Sequence, residues 1–510
     1  LNPSAAIAIT IPGWGIASLV NSCIVSDVAS TVGVVVTCSW LWSCVGNSFQ
    51  MIRFARCGAI VLCFLQNFAW LFTSVKHHLD SSLDISETLN ETMFGGLVIS
   101  DYAAAVLYCS IFCFALAFFG SLRFVKSLER KLDQVLGALK LLSTKSLLPV
   151  IISLLMAEAF LVSTGIVGTR TIKVDGFEDG EMPVWYFLVS SMTSLQLLLN
   201  GLLLWKTVEA KNRSSRLFLG GILACSILVV LFLYFNQGRR DLAFCAFAHF
   251  WWAVYFFGNR PGFIKALAAV AICLPLLYYS MLFNNFMRSG HAGLDNYRVS
   301  AIEAIPGALK KFVMDPAMRE LEQERTSNNL SSRPLVATPL AYCIRLPAEK
   351  KAYLLHKDLF HSFIWSIPGP LFPWKENFPN QEDLLYQSFA IGDKDTADSI
   401  VLSAYASFGW FGVITHSLFI SSLIAGTVFA VMYTKTPPIG TALVCAPILQ
   451  LITVDLAEES TTSFFNFARS AIFFVVVLWM LDAILRRMGR SSAKLIAIKQ
   501  NSRFGPRCTR

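Results

Sequence analysis

The chain has 510 residues, of which 55% are hydrophobic and only 15% charged, and its mean hydropathy is +0.57. A water-soluble domain carries roughly 25% charge, so composition excludes an ordinary soluble globular protein. The net charge of +9 is concentrated in a few connections and the tail, a distribution that orients membrane spans and argues against a nucleic-acid partner.

Apolar runs recur along the chain, and all but the shortest, 441–454, meet the roughly 17–25 residues needed to cross a bilayer as helix. They lie at 5–21, 28–45, 55–75, 97–119, 147–166, 184–205, 217–235, 242–258, 266–283, 411–432, 441–454 and 463–485. The expected fold is all-α, a polytopic helical integral membrane protein with about twelve transmembrane helices. Residues 1–283 are read as a nine-helix bundle, 284–395 as one large outer loop, 396–485 as three further spans and 486–510 as a basic tail. The nine-to-three split shows no internal repeat. The first apolar run has no basic leader, so no cleavable signal peptide is expected.

Most of the 13 cysteines, such as Cys109, Cys113, Cys225 and Cys273, lie inside apolar runs and read as small apolar residues. The large loop holds a single cysteine, Cys343, so it has no internal disulfide. No CxxC pair or Cys/His cluster marks a metal, and neither a metal nor a cofactor is expected.

Orientation follows from lysine and arginine. The tail carries Arg486, Arg487, Arg490, Lys494, Lys499, Arg503, Arg507 and Arg510 without an acid. The connection 121–146 holds Arg123, Lys126, Arg130, Lys131, Lys140 and Lys145, and the one after Trp205 holds Lys206, Lys211, Arg213 and Arg216. With these in the cytoplasm, the alternate connections "HHLDSSLDISETLNET", "DGFEDGE" and "DLAEES" are outside and acidic. Both termini are then cytoplasmic, and the loop 284–395 is a folded cap on the outer face. Its length exceeds that of ordinary connections, and its apolar stretches "LVATPLAYCIRL" and "AYLLHKDLFHSFIWSIPGPLFPW" are not those of a disordered linker.

Some charges break this pattern. "YFNQGRRDLAF" puts Arg239 and Arg240 in a short outer hairpin beside Asp241. They read either as snorkelling cations, with Arg240 paired to Asp241, or as an anion site, because a guanidinium fork matches phosphate oxygens. Arg333, Arg345 and Lys375 add cations in the cap; for each of them singly, a solvated or ion-paired role competes with a site role. Arg469 lies inside the last span and Glu158 inside the fifth, both costly positions without a partner or a polar cavity. His356 and His361, five apart, are poorly spaced for joint metal binding on a helix. Asp398-Ser399 precedes an apolar run, as a helix N-cap does, and Gly409 and Gly412 share one helical face where a helix or lipid chain can approach closely.

Asp398-Ser399, nine residues, Gly409, two residues and Gly412 is similar to the His-[Asn/Ser/Gln]-x9-Gly-x-x-Gly signature of bacterial O-antigen ligases, with aspartate where that family has histidine. Ile367-Pro368, Pro373, Lys375, Tyr405, Phe408, Gly409 and Gly412 resemble the "IPxxxxPxK … YxxFGxxG" pattern of the oligosaccharide repeat-unit (Wzy-type) polymerases of the same superfamily. The Gln-Gly-Arg-Arg-Asp turn ending at Asp241 resembles an arginine turn in that superfamily. These motifs cover about a fifth of the chain.

The resemblance implies a GT-C-like glycosyltransferase in the bacterial inner membrane, facing outward. Its activity would be metal-independent polymerisation of undecaprenyl-pyrophosphate-linked repeat units into O-antigen or exopolysaccharide, with membrane lipid and a chain-length regulator protein as candidate partners. Arg239, Arg240, Arg345, Arg333 and Lys375 would then meet the charge of the pyrophosphate leaving group. Asp398 would be the general base, with His361 or Asp395 as substitutes, and Gly409 and Gly412 would pack the helix at the lip. Two alternatives stand beside this one: an O-antigen ligase acting on a lipid A–core acceptor, and a transporter or flippase of lipid-linked glycan.

Overall fold

A computed structural model describes residues 2–45, 47–79, 96–163, 184–237, 239–258, 301–323, 337–369, 371–389, 399–433, 437–453 and 460–476, with short pieces at 262, 275, 278–280, 282–283, 286, 456 and 479–480. Among these residues the chain is all-α, with no strand. Among the described residues six helices are long and apolar enough to cross a membrane, or up to seven if one bent pair counts as a single span; three shorter apolar helices, Leu242–Phe257, Pro438–Ile452 and Thr461–Val476, accompany them. Most of the expected span 266–283 and the end of the span 463–485 lie outside the described residues. The membrane class expected from composition therefore stands.

The helices follow in order as α1 (Pro3–Val20), α2 (Cys23–Cys44), α3 (Phe54–Leu79), α4 (Ile99–Phe119), α5 (Arg123–Gly137), α6 (Thr144–Ser163), α7 (Val184–Glu209), α8 (Arg213–Gln237) and α9 (Arg239–Phe257). The large connection contributes α10 (Ala301–Met314), α11 (Ala337–Arg345), α12 (Lys357–Ser366) and α13 (Gln381–Phe389). The chain closes with α14 (Ile400–Phe408), α15 (Gly412–Tyr433), α16 (Pro438–Thr453) and α17 (Thr461–Val476). Helix α4 is central: α1, α3, α11 and α15 all pack on it.

Two ends of the bundle can be told apart. At one, Asn21 accepts a hydrogen bond from the Ser100 backbone N–H at 3.0 Å, and Arg345 of α11 lies 3.8 Å from Asp101 of α4, which joins the large connection to the start of α4. At the other, α5 turns through 101° into α6. Val125, Leu128, Leu132 and Leu136 recur at three- and four-residue spacing and are buried, while Arg123, Arg130 and Lys131 are exposed, the pattern of a helix lying in an interface plane. It is fastened by a buried ion pair between Glu129 and Arg56 of α3 and by Tyr255 of α9, whose hydroxyl donates to Asp133 at 3.0 Å.

Apolar α14 and α15 form one run, Ile400–Tyr433, interrupted by a single 3-10 turn at Gly409–Phe411. The interruption is built by glycine. Gly409 sits at φ +58°, where L side chains are strained. A Cβ on Gly412 would stand 1.8 Å from the Ala404 carbonyl oxygen. The close approach at Gly412 is thus made by the chain's own preceding helix and that at Gly409 by the Tyr353 ring, and the Tyr108 hydroxyl of α4 donates to the Gly409 carbonyl at 3.2 Å.

Helix α12 has an inverted face pattern. Asp358, Ser362 and Ser366 are buried, whereas Phe360 and Phe363 are 52% and 51% exposed. In water that distribution is costly; against lipid it is the stable one. The partners of α12 on α17 keep a nearly constant offset: Asp358 meets Thr461, Phe363 meets Phe465 at 5.6 Å, and Ser366 meets Arg469. The two helices therefore run side by side in the same direction over about 12 Å.

Candidate functional site

A cluster of buried polar residues lies where α12 to α15 meet α17. Asp358 is at 0% exposure, in the first turn of α12. The Thr461 hydroxyl donates to its Oδ2 at 2.9 Å, and Nε2 of the equally buried His416 lies 3.5 Å from the same oxygen. An ionised Asp358 offers no proton, so Nε2 would carry the hydrogen. Nδ1 of His416 then stands 3.2 Å from the Thr415 hydroxyl. Gln381, the first residue of α13, ties the surrounding elements together: its Oε1 accepts from the Thr461 backbone N–H at 3.1 Å and its Nε2 donates to Ser403 of α14.

One carboxylate oxygen is held and the other is not. Asp358 Oδ1 has no hydrogen-bond partner among the described residues, and neither do the buried hydroxyls of Ser362, one turn further along α12, and Ser407 on α14. A buried polar atom left unmatched costs about 1–3 kcal/mol, more when charged, and native chains leave few of them.

Cations stand at the far end of α12. The Arg469 guanidinium donates to the Ser366 carbonyl. Burial lowers its solvation, which an arginine tolerates when it faces a polar lining. Residues 367–375 turn back after α12, and this turn carries Lys375 over the Trp365 ring, Nζ lying 5.5 Å from the ring centroid. The Ile367-Pro368, Pro373 and Lys375 pattern read from the sequence therefore builds the return that brings Lys375 to the same end of α12 as Arg469.

Among the described residues the other sequence candidates are not brought to this cluster. Asp398, Asp395 and Arg333 lie outside the described residues, as do the side chains of Arg239 and Arg240, whose backbone opens α9. Ser399, rather than Asp398, caps α14: its hydroxyl accepts from the Leu402 N–H at 3.1 Å. His361 lies 3.2 Å from the Pro379 carbonyl through Nδ1, between the rings of Phe360 and Phe378. Arg345 is exposed and faces Asp101. Sequence reasoning missed Asp358 and His416. The signal for His416 was present, an ionisable residue in the apolar run "GVITHSLFI"; Asp358 in "HKDLF" has the look of an ordinary helix start.

A second polar layer crosses the bundle. Gln196 of α7 donates to Ser226 of α8, Ser226 to Asn200, and Asn200 Nδ2 lies 3.0 Å from His249 Nε2 of α9. On α6, Glu158 is fully buried, and neither carboxylate oxygen has a hydrogen-bond partner among the described residues.

Comparison of the chain with family models, with curated proteins and with solved structures gave no match.

Proposed function

We propose that the protein is an integral-membrane glycosyltransferase that polymerises undecaprenyl-pyrophosphate-linked repeat units at the outer face of the bacterial inner membrane, with Asp358 as the general base. The observation that carries this reading is the half-held carboxylate. Thr461 and His416 orient Asp358 through Oδ2, and Oδ1 is left to accept a proton. The lipid-facing phenylalanines of α12 support a re-entrant segment that places this carboxylate at the edge of the lipid, where a polyprenyl carrier would present its pyrophosphate.

In the proposed step the acceptor hydroxyl attacks the anomeric carbon and its proton passes to Asp358 Oδ1. The bond from that carbon to the pyrophosphate oxygen breaks, and the electron pair leaves with the carrier. Arg469 and Lys375 meet the charge that develops there. Asp358 and His416 are closed to solvent in this conformation, so the acceptor reaches Asp358 Oδ1 only through an opening that leaves the contacts with Thr461 and His416 in place.

The test is transfer in vitro with purified protein and carrier-linked repeat units, with and without chelator. Wild type is expected to give a ladder of products, and Asp358→Asn to slow it by about 10²–10⁴-fold. A full-strength ladder from Asp358→Asn would remove the base assignment, and no ladder from folded wild type supplied with its native unit would remove the polymerase.

Glu158 and the polar layer through His249 favour one other reading, a proton-coupled transporter of lipid-linked glycan. Accumulation of carrier-linked units on the cytoplasmic side of cells lacking the protein would select it; accumulation outside selects the polymerase.

A further inference from the structure

The sequence separates Cys23, Asp27 and His78 by up to 55 positions; the fold joins them. Cys23 and Asp27 stand one turn apart on α2, and His78 comes from the last turn of α3. Cys23 Sγ, an Asp27 carboxylate oxygen and a His78 ring nitrogen all lie within 4.8 Å of one another. Sγ is 3.7 Å and His78 Nε2 is 3.3 Å from the same oxygen, Asp27 Oδ2.

We propose that these three side chains form a zinc site at the same end of the bundle as Asp101 and Arg345, separate from the Asp358 centre. Four-coordinate zinc takes Cys, His and carboxylate ligands with bonds of about 2.0–2.3 Å, so neighbouring ligand atoms in its tetrahedron stand about 3.3–3.7 Å apart. Two of the three separations already match. The third closes by a rotation of His78, whose side chain is 68% exposed and free to make it.

The surroundings are those of a metal site. The Trp70 indole N–H donates to Asp27 Oδ1 at 2.8 Å, which orients the carboxylate and leaves Oδ2 facing the other two groups. Trp70 is itself fixed between Trp14 at 6.3 Å and Tyr102 at 5.1 Å. The donor set of one thiolate, one imidazole and one carboxylate suits zinc and disfavours calcium and magnesium, which take oxygen ligands. Three protein ligands leave a fourth position open toward the exposed side of His78, for water or an external group. Zinc enters as the Cys23 thiol gives up its proton to solvent.

The experiment uses the full chain in nanodiscs, stripped with chelator, desalted and titrated with Zn²⁺, with Co²⁺ as the optical probe. Wild type is expected to retain one equivalent of zinc by elemental analysis. Its Co²⁺ form should show the thiolate charge-transfer band and the visible bands of a tetrahedral centre. Cys23→Ser should abolish the charge-transfer band, His78→Ala should abolish retention, and Trp70→Phe should weaken binding by about 10–100-fold. Cys23→Ser and His78→Ala alter partly exposed groups, and equal melting of the metal-free proteins checks their folding. Absence of the charge-transfer band in wild type, or zinc retained equally by the Cys23→Ser/His78→Ala double variant, would overturn the site.

Discussion

The Thr461 hydroxyl reaches Asp358 Oδ2 at 2.9 Å, joining residues 103 positions apart in the chain. This bond fixes which carboxylate oxygen is held and which is open. Thr461→Val removes it while keeping side-chain volume, and a hydrogen bond to a charged group is worth about 1.5–3 kcal/mol. The variant should melt lower than wild type, and it should lose less transfer activity than Asp358→Asn, because His416 still orients the carboxylate. Equal loss of activity in the two would show that Thr461 does more than orient.

Arg469 is expected to act through its charge. Arg469→Lys should keep part of the transfer rate and Arg469→Ala should lose about 10²–10³-fold, the range for removing one group that stabilises developing charge. Steady-state rates at saturating carrier substrate decide this. A drop confined to melting temperature, with the rate unchanged in Arg469→Ala, would assign the guanidinium to holding the Ser366 carbonyl.

Gly412 has no room for a side chain. Its Cβ would meet the Ala404 carbonyl oxygen at 1.8 Å, a backbone atom that has nowhere to go, whereas Gly426 on the same helix has nothing within 4 Å. Gly412→Ala should destabilise the protein by about 3 kcal/mol or more, and Gly426→Ala should be neutral. Thermal unfolding in detergent compares them directly.

The pair Arg56–Glu129 is buried at the far end from the site. Arg56→Met strands a carboxylate and should cost about 3–5 kcal/mol, while the double variant Arg56→Met/Glu129→Leu should recover most of that loss. A double variant as unstable as the single one would mean that the arginine's packing, not its charge, matters.

Lys351 gives a pH dependence. Its ammonium donates to the Ile344 carbonyl at 2.8 Å and to the Tyr405 hydroxyl at 3.0 Å. Burial pushes its pKa below the usual lysine range, with Cys343 acting in the opposite sense. Between that lowered folded value and the ordinary value of about 10.4, the unfolded chain binds more protons. Stability contributed through Lys351 therefore rises with pH across this window. Melting temperatures from pH 8 to pH 10 should show wild type gaining relative to Lys351→Met; a constant gap would contradict the assignment.

Hydropathy made the class of fold legible, because α1 to α4 and α8 carry uninterrupted apolar length. It did not reveal that α12 folds against α17. Asp358, Ser362 and Ser366 read as the wet face of a surface helix, and only the contacts with Thr461, Phe465 and Arg469 show that this face is the inner one. The Gly409–Gly412 spacing was visible, but spacing cannot say whether the neighbour is lipid or the chain's own Ala404 carbonyl. Cys23 and Asp27 stood four apart in plain view, yet their third partner, His78, arrives through α3. Local pattern reports periodicity; it does not report which distant segment completes a cluster.

The inverted pattern of α12 has a bearing on how this protein can be taken apart. Excised into buffer, the segment 284–395 would present two phenylalanines to water and leave Asp358 without Thr461 or His416. Such a fragment should turn over or aggregate, so binding studies on an isolated cap would report on a different object. The connection is long enough to pass for a detachable module, but Asp358 and Ser366 are held by helices that follow it in the chain. Grafting, truncation or exchange between related proteins would have to carry α14 to α17 along with it.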